Sequence, residues 1–408
     1  MARRDNEGIE DLLRDAYTDA AQTVRQERMR PAVSLPPARD RRRWSALVPL
    51  AAAAAVVVAI AGAVAVPRLL TTRVAPGTGG VKPPPFIVQI PYFGGAVEKL
   101  AVQAAGTHQV TGLVPPPHGL TWVAVAATGS PTTFVTAAVS YGRNCVTAFY
   151  RLALSADGKP AGLRPLGVPQ IQGDLASLAA SADGRTIAYA ATPCIVGTPV
   201  SRTPVSGMIG VVGTGGTARH WTLPQSTVAG SLSLSADGGI LGFVTMPFGW
   251  FAYSPSSPAA PARSAWLLPT KASSGNALSR SRQVLATRGG SEPQAVVLSP
   301  DGKTVYAMTA SGNGPYTITL AAYRPSDGAL FRELVTWRNV PVLMGPEVTL
   351  GGDRLLVWGI HQPDTYQVDL ASGHLTRVWM YAPGSEYPEA VAWLFSIRAP
   401  AASYWYDD

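Results

Sequence analysis

Charge is scarce in this chain. Only 14% of its 408 residues are Asp, Glu, Lys or Arg, and they crowd toward one end. Residues 1–44 hold ten Arg against eight acids, and residues 45–85 add Arg68, Arg73 and Lys82. The remaining +3 of the formal +8 is spread over more than three hundred residues. That large remainder has no basic stripe, which argues against a nucleic-acid partner. Histidine and cysteine are rare as well, with five and two copies. His108, His118, His220, His361 and His374 have no metal-pair spacing, HExxH is absent, and two cysteines alone make no zinc site. The chain also lacks a Gly-x-Ser-x-Gly elbow and a phosphate-cradling GxxxxGK[ST] loop. No catalytic, metal-ligating or cofactor-binding residue is therefore assigned, and no cofactor is expected. The 41 Gly and 36 Pro favour short elements joined by tight turns over long helices.

One long apolar run stands out. Trp44 to Val66 contains no charged side chain and only Ser45 as a polar one beyond the tryptophan. At about 1.5 Å per residue, a helix of that length crosses a bilayer core of about 30 Å. Before it, residues 1–30 hold an amphipathic helix, with Ile9, Leu12, Leu13, Ala16, Ala20 and Val24 on one face. Residues 31–43 are a Pro-rich linker ending in Arg39, Arg41, Arg42 and Arg43. Seven Arg in 25–43 outweigh the three basic residues after the span, so the N-terminus is placed in the cytoplasm of a bacterial cell. A cleaved signal is the alternative, with Arg42-Arg43 as a twin-arginine pair and Ala63-Val64-Ala65 as the cleavage site. The leading region is long for that role, and a retained anchor is the expectation. Residues 67–85 form a Pro/Gly tether, and 86–408 an extracytoplasmic domain.

From Phe86 the pattern has period two, punctuated by a recurrent turn. It reads Ser155-Ala156-Asp157-Gly158, Ser181-Ala182-Asp183-Gly184, Ser235-Ala236-Asp237-Gly238 and Ser299-Pro300-Asp301-Gly302. Looser versions occur at Ser326-Asp327-Gly328, Gly351-Gly352-Asp353 and Ala371-Ser372-Gly373. Asp accepts backbone N–H bonds across such a turn, and Gly takes a positive φ. A calcium site would need several oxygens clustered, whereas each Asp here is isolated in its own turn. Some turns join two inner apolar strands and others join an aromatic-rich strand to an outer one. One unit is thus four strands, the signature of a β-propeller blade.

The turns resemble those of TolB-type and WD-repeat-like propellers, which implies an all-β propeller over roughly Phe86 to the C-terminus. The repeated Gly-His and Trp-Asp pairs of true WD repeats are absent. Units fall near 118–168, 169–224, 225–290, 291–339 and 340–384. A sixth comes from both ends: 86–90, 100–104 and 108–114 from the front, 390–397 from the back. Six blades are expected, with seven as the alternative because 225–290 is long.

Cys145 and Cys194 each follow the second strand of adjacent blades. Equivalent loops of neighbouring blades lie on one face, so a Cys145–Cys194 disulfide that staples two blades is expected; two small buried thiols are the alternative. The whole layout resembles that of membrane-anchored anti-sigma factors of actinobacteria in architecture, although residues 1–44 contain neither His nor Cys. The expected function is a binding or sensing module: the propeller takes an extracytoplasmic protein, peptide or glycan, and residues 1–30 engage a cytoplasmic protein. A propeller hydrolase or oxidoreductase with its site at the central channel is one alternative, a passive envelope scaffold another. The aromatic, acidic tail Tyr404 to Asp408 reads as a loose end or a partner-binding peptide.

Overall fold

The computed structural model describes residues 85–92, 99–107, 109–141, 145–194, 206–247, 262–312, 315–340, 347–351, 353–358, 365–378, 387–392 and 397–398. The expected arm, linker, span and tether, and the tail from 399 on, lie outside them. Among the described residues no helix is long and apolar enough to cross a membrane.

The chain opens with β1 (Phe86–Tyr92), β2 (Leu100–Ala104) and β3 (Val110–Val114), paired in that order. Blade 1 is β4 (Thr121–Ala127), β5 (Thr133–Ser140), β6 (Val146–Leu154) and β7 (Pro160–Pro165), with the short β8 (Ile171–Gln172) also on β6. Blade 2 is β9 (Asp174–Ala180), β10 (Thr186–Thr192), β11 (Ser206–Gly213) and β12 (Ala218–Gln225). Blade 3 is β13 (Thr227–Leu234), β14 (Ile240–Pro247), β15 (Ser264–Pro269) and, after β16 (Gly275–Asn276) and helix α1 (Ala277–Arg280), β17 (Arg282–Ala286). Blade 4 is β18 (Ser291–Leu298), β19 (Val305–Ser311), β20 (Tyr316–Tyr323) and β21 (Leu330–Val340). Blade 5 is β22 (Glu347–Gly351), β23 (Arg354–Trp358), β24 (Thr365–Asp369) and β25 (Leu375–Val378). The last long strand, β26 (Tyr387–Ala392), pairs antiparallel with β1 and completes blade 6 with β1–β3.

The protein is therefore an all-β, six-bladed propeller whose closing blade takes one strand from the back of the chain and three from the front. Closure of this kind joins the two ends of the chain through a backbone ladder. The extra length of the 225–290 unit does not make a seventh blade. Part of it is the β16–α1 insertion, in which Asn276 caps α1 by accepting N–H bonds from Leu278 and Ser279. β16 runs parallel to the outer strand of blade 2, matching Trp221 with Gly275 and covering that edge. One expected strand is redrawn. Residues 390–397 are not continuous: β26 stops at Ala392, and 397–398 form a separate strand, β27.

Burial explains the composition. Inner strands are sandwiched between two neighbouring blades, so both of their faces are covered; β13, TVAGSLSL, is buried at every position. These strands are rich in Ala, Ser, Gly and Val, with larger buried side chains such as Trp122, Leu178 and Leu232 among them. The outer β12, ARHWTLPQ, alternates instead, burying Trp221 and Leu223. Among the described residues, apolar clusters fill five of the seams between blades. Leu178 and Tyr189 meet Val135 and Phe149 between blades 1 and 2. Phe243 and Leu241 meet Ile209 and Trp221 between blades 2 and 3. Similar clusters lie between blades 3 and 4, 4 and 5, and 6 and 1.

The turns on one face are tied to one another. The Gly129 N–H donates to the Ala182 carbonyl at 2.7 Å, the Ala182 N–H to Ala236 at 2.9 Å, and the Ala236 N–H to Pro300 at 2.8 Å. This relay passes from blade 1 to blade 4. It stops at Pro300, which has no N–H to hand on.

The relay predicts an asymmetry. Ala236→Pro keeps the backbone that Pro300 adopts at the equivalent position but removes the donor and orphans the Pro300 carbonyl. It is expected to cost about 1–2 kcal/mol in denaturant unfolding, whereas Pro300→Ala stays within about 1 kcal/mol. Equal effects would dissociate the relay from stability.

Candidate functional site

Two faces and a channel are available to a ligand. On the turn face, three of the four full turns have the same wiring. The Ser181, Ser235 and Ser299 hydroxyls donate to Oδ1 of Asp183, Asp237 and Asp301 at 2.6, 2.6 and 2.7 Å. Those same Oδ1 atoms accept the N–H of Arg185, Gly239 and Lys303. Each serine oxygen in turn accepts an N–H from the start of the next strand, at Thr186, Ile240 and Thr304. In the outer turn of blade 1 the Ser155 hydroxyl donates to Asp157, and Lys159 pairs with the other carboxylate oxygen at 2.9 Å. Gly158, Gly184, Gly238 and Gly302 all take φ between 63° and 79°, a region that glycine enters at little steric cost.

The four aspartates act as acceptors in these turns and the four glycines hold the positive φ. What the sequence reading missed is the serine: it closes the loop by donating to Asp and accepting from the strand. Its presence at the first position of all four turns was the available signal. The hydrogen bonds from serine hold the carboxyls of Asp183, Asp237 and Asp301 below their ordinary range. Asp157, held by Ser155 and then Lys159, falls to about 2. Among the described residues no group of three His, Cys, Asp or Glu could hold a metal ion.

On the opposite face the structure joins Cys145 and Cys194 in a disulfide, with Cα atoms 5.7 Å apart. Cys145 lies between β5 and β6, Cys194 just after β10, so the bond ties blade 1 to blade 2 as expected. The bridge walls a cleft of about 410 Å³, lined also by Gln172, Gly173, Thr192, Pro193, Ser206 and Met208. Gly173 shapes its floor. Its φ is +130°, its N–H donates to the Cys145 carbonyl, and a Cβ there would come within 2.5 Å of the Thr192 carbonyl oxygen. Tyr141, half exposed, precedes Cys145 by four positions.

The inner strands line the channel, and most of them are bulged. Extra residues occur at Val123 in β4, Ala176 in β9, Ser231-Leu232 in β13 and Gln294 in β18. Serines on one bulged strand reach the next blade. Ser177 accepts the Leu232 N–H at 3.1 Å, Ser231 the Val296 N–H at 2.7 Å, and Ser233 the Leu298 N–H at 2.9 Å. Ser231 does so from φ 52°. Beside the fourth bulge the buried guanidinium of Arg263 donates to the Gln294 side-chain oxygen. Tyr189 and His220 pair at 3.2 Å between their hydroxyl and Nδ1, and burial pushes the tyrosine up to about 12. A second, smaller cleft of about 230 Å³ on the turn face holds Arg219, Lys271 and Asp237, with the Arg219 guanidinium bound to the Thr270 carbonyl.

Two measurements check this wiring. The turn carboxyls have folded pKa values below the unfolded value of about 3.9, so their contribution is present above that pH and is lost as pH falls through the folded values. The melting temperature is expected to drop between pH 4 and pH 2, and an Asp183→Asn, Asp237→Asn, Asp301→Asn variant to show a shallower drop; an unchanged slope would refute the assignment. Removing the bridge, which spans 49 residues, with Cys145→Ala and Cys194→Ala should cost about 2–4 kcal/mol. The native protein under a phosphine reductant should melt at the same lowered temperature.

No family model matches the chain, and no curated protein matches it. The propeller is similar in fold to solved structures at low identity. TolB from Acinetobacter baumannii is 13% identical with a TM-score of 0.48, over 76% of this chain and 66% of that one. An oligogalacturonate lyase in complex with manganese is 15% identical with a TM-score of 0.46, over 71% of this chain and 74% of that one. A putative TolB from Agrobacterium tumefaciens is 13% identical with a TM-score of 0.39, over 76% and 95%. The structural neighbours of this six-bladed ring thus include TolB-type propellers, a likeness of fold.

Proposed function

We propose that the protein is a membrane-anchored binding module of the bacterial envelope. The propeller stands outside the cytoplasmic membrane and recognises a protein, peptide or glycan, and the helix of residues 1–30 engages a cytoplasmic protein. The observation that supports recognition is the cleft beside the disulfide. Its described lining offers neutral hydrogen-bonding groups, Gln172, Thr192 and Ser206, next to the apolar surface of Pro193, Met208 and the bridge. The described wall, apolar with a few hydrogen-bonding groups, suits binding by shape and hydrogen bonds. The covalent bond across the cleft keeps that wall pre-organised, which lowers the ordering cost of binding. The anchor and its orientation follow from the apolar run 44–66 and the arginines before it.

The test is crosslinking of the intact protein in its membrane, followed by identification of what is attached on each side. Photo-crosslinkers at Gln172 and Ser206 should capture an external component, and crosslinkers in residues 9–24 a cytosolic one. Protease added to cells stripped of their outer layers should digest the propeller and spare the arm. A protected propeller would overturn the orientation, and empty crosslinks at Gln172 and Ser206 would overturn the cleft as the binding surface.

A further inference from the structure

We propose that the channel-facing edge of β9, at its bulge, is a binding site for an extended peptide strand, and that β27, the chain's own Ile397–Arg398 segment, occupies it. This deepens the binding-module reading and rests on it. The pairing is on the backbone. β27 turns back antiparallel on β26, matching Val391 with Ile397 and Ala390 with Arg398. It then pairs antiparallel with β9, matching Ile397 with Ser177. β26 belongs to blade 6 and β9 to blade 2, so the strand spans the mouth of blade 1 and lies against β4, β9 and β13.

Inner strands are the natural place for such addition. In a propeller blade the innermost strand has a ladder partner on one side only, and its second edge faces the axis. An edge of that kind is a template for another extended chain, with main-chain bonds giving affinity. The neighbouring edges are served differently. On β13 and β18, the amides of Leu232, Val296 and Leu298 are taken by serine hydroxyls from the preceding blade. β9 receives a strand. The register falls on the residue following the β9 bulge, where the ladder to β10 skips Ala176. Bulges re-aim a strand and terminate regular pairing next to functional sites. The wall at this point, Ala176, Ser177 and Ser231, is small and uncharged, which fits an extended peptide without charge at the paired residue.

A tethered strand competes at an effective concentration of the order of millimolar. β27 would therefore keep weak peptides out of the channel and yield to a partner strand that binds more tightly or arrives tethered itself. The probe is a fluorescein-labelled peptide with the sequence of residues 393–402, WLFSIRAPAA. Its binding is measured by anisotropy to the detergent-solubilised native chain, to a chain ending at Ser396, and to full-length Ile397→Pro. The last variant removes one strand amide without shortening the chain. For a peptide with a dissociation constant of about 10 μM, both variants should bind about 100-fold more tightly than the native chain. Methylating the isoleucine amide of the peptide should weaken binding at least 10-fold. Equal binding by native and variant chains would overturn the proposal. So would no binding to a variant that melts cooperatively, or indifference to amide methylation. If an envelope partner crosslinks to the cleft beside the disulfide and truncation leaves its capture unchanged, this inference falls and the binding module stands.

Discussion

A propeller blade leaves the inner edge of its first strand without a ladder partner, and buried amides cannot be left unsatisfied without a cost of about 1–3 kcal/mol each. Much of this structure follows from how that edge is served. The inner strands are built from small residues because two neighbouring blades close over them, and small residues bring serines near the next backbone. Ser177, Ser231 and Ser233 take the amides of Leu232, Val296 and Leu298, each across a seam. On the turn face the backbone relay from Gly129 to Pro300 does the same at the strand ends. The ring is thus held by apolar seams and by two sets of polar contacts that cross them. At β9 the same requirement is met by a strand of the chain itself.

The seams are not equivalent. Five are filled by apolar clusters among the described residues; the described lining of the sixth, between blade 5 and the closing blade, mixes apolar and amide side chains. Leu355 and Val357 turn toward blade 4, so alternation turns Leu356 and Gln367, its pairing partner, toward blade 6. The facing surface of the closing blade carries buried Gln89 and Gln103 beside Ile87 and Ala101. Amide side chains bury less apolar area than the Leu, Phe and Trp of the other seams, and non-directional burial is the larger stabilising contribution per residue. The two ends of the chain are joined in the closing blade by the β1–β26 ladder.

Blade number and closure were legible in the sequence because both depend on short-range signals. An Asp-Gly turn needs its residues at fixed offsets, and their recurrence counts the blades without any knowledge of the third dimension. The three front strands were visible as apolar runs for the same reason. The serine contacts were not legible. Ser177 and Leu232 are 55 positions apart, and nothing in LASLAASADG marks one serine as reaching the next blade while its neighbour closes a turn. The break between β26 and β27 was hidden too, since 390–397 reads as one apolar run and only the partner strands decide where it stops. Within the candidate site the cysteine pair was accessible because repeat register placed both residues in equivalent loops. Gly173 and Thr192, which shape the same cleft, carried no such label.

The position of the disulfide bears on what the cleft is for. A bond whose role is to hold the ring shut would act most directly at the closing blade, where the two ends of the chain meet. It lies instead between blades 1 and 2, a seam already filled by Phe149, Leu178, Ile187 and Tyr189. Its entropic effect acts on the unfolded chain wherever it is placed, so global stability does not explain this choice of loops. What the bond does only here is fix Cys145 and Cys194 in the loops that wall the cleft, with Gly173 pinned to the Cys145 carbonyl beneath it. Loops on a propeller face are otherwise its most variable and mobile parts. A covalent bond placed where packing is already sufficient, and next to a concave surface, is better accounted for by the shape of that surface than by the ring's need for support.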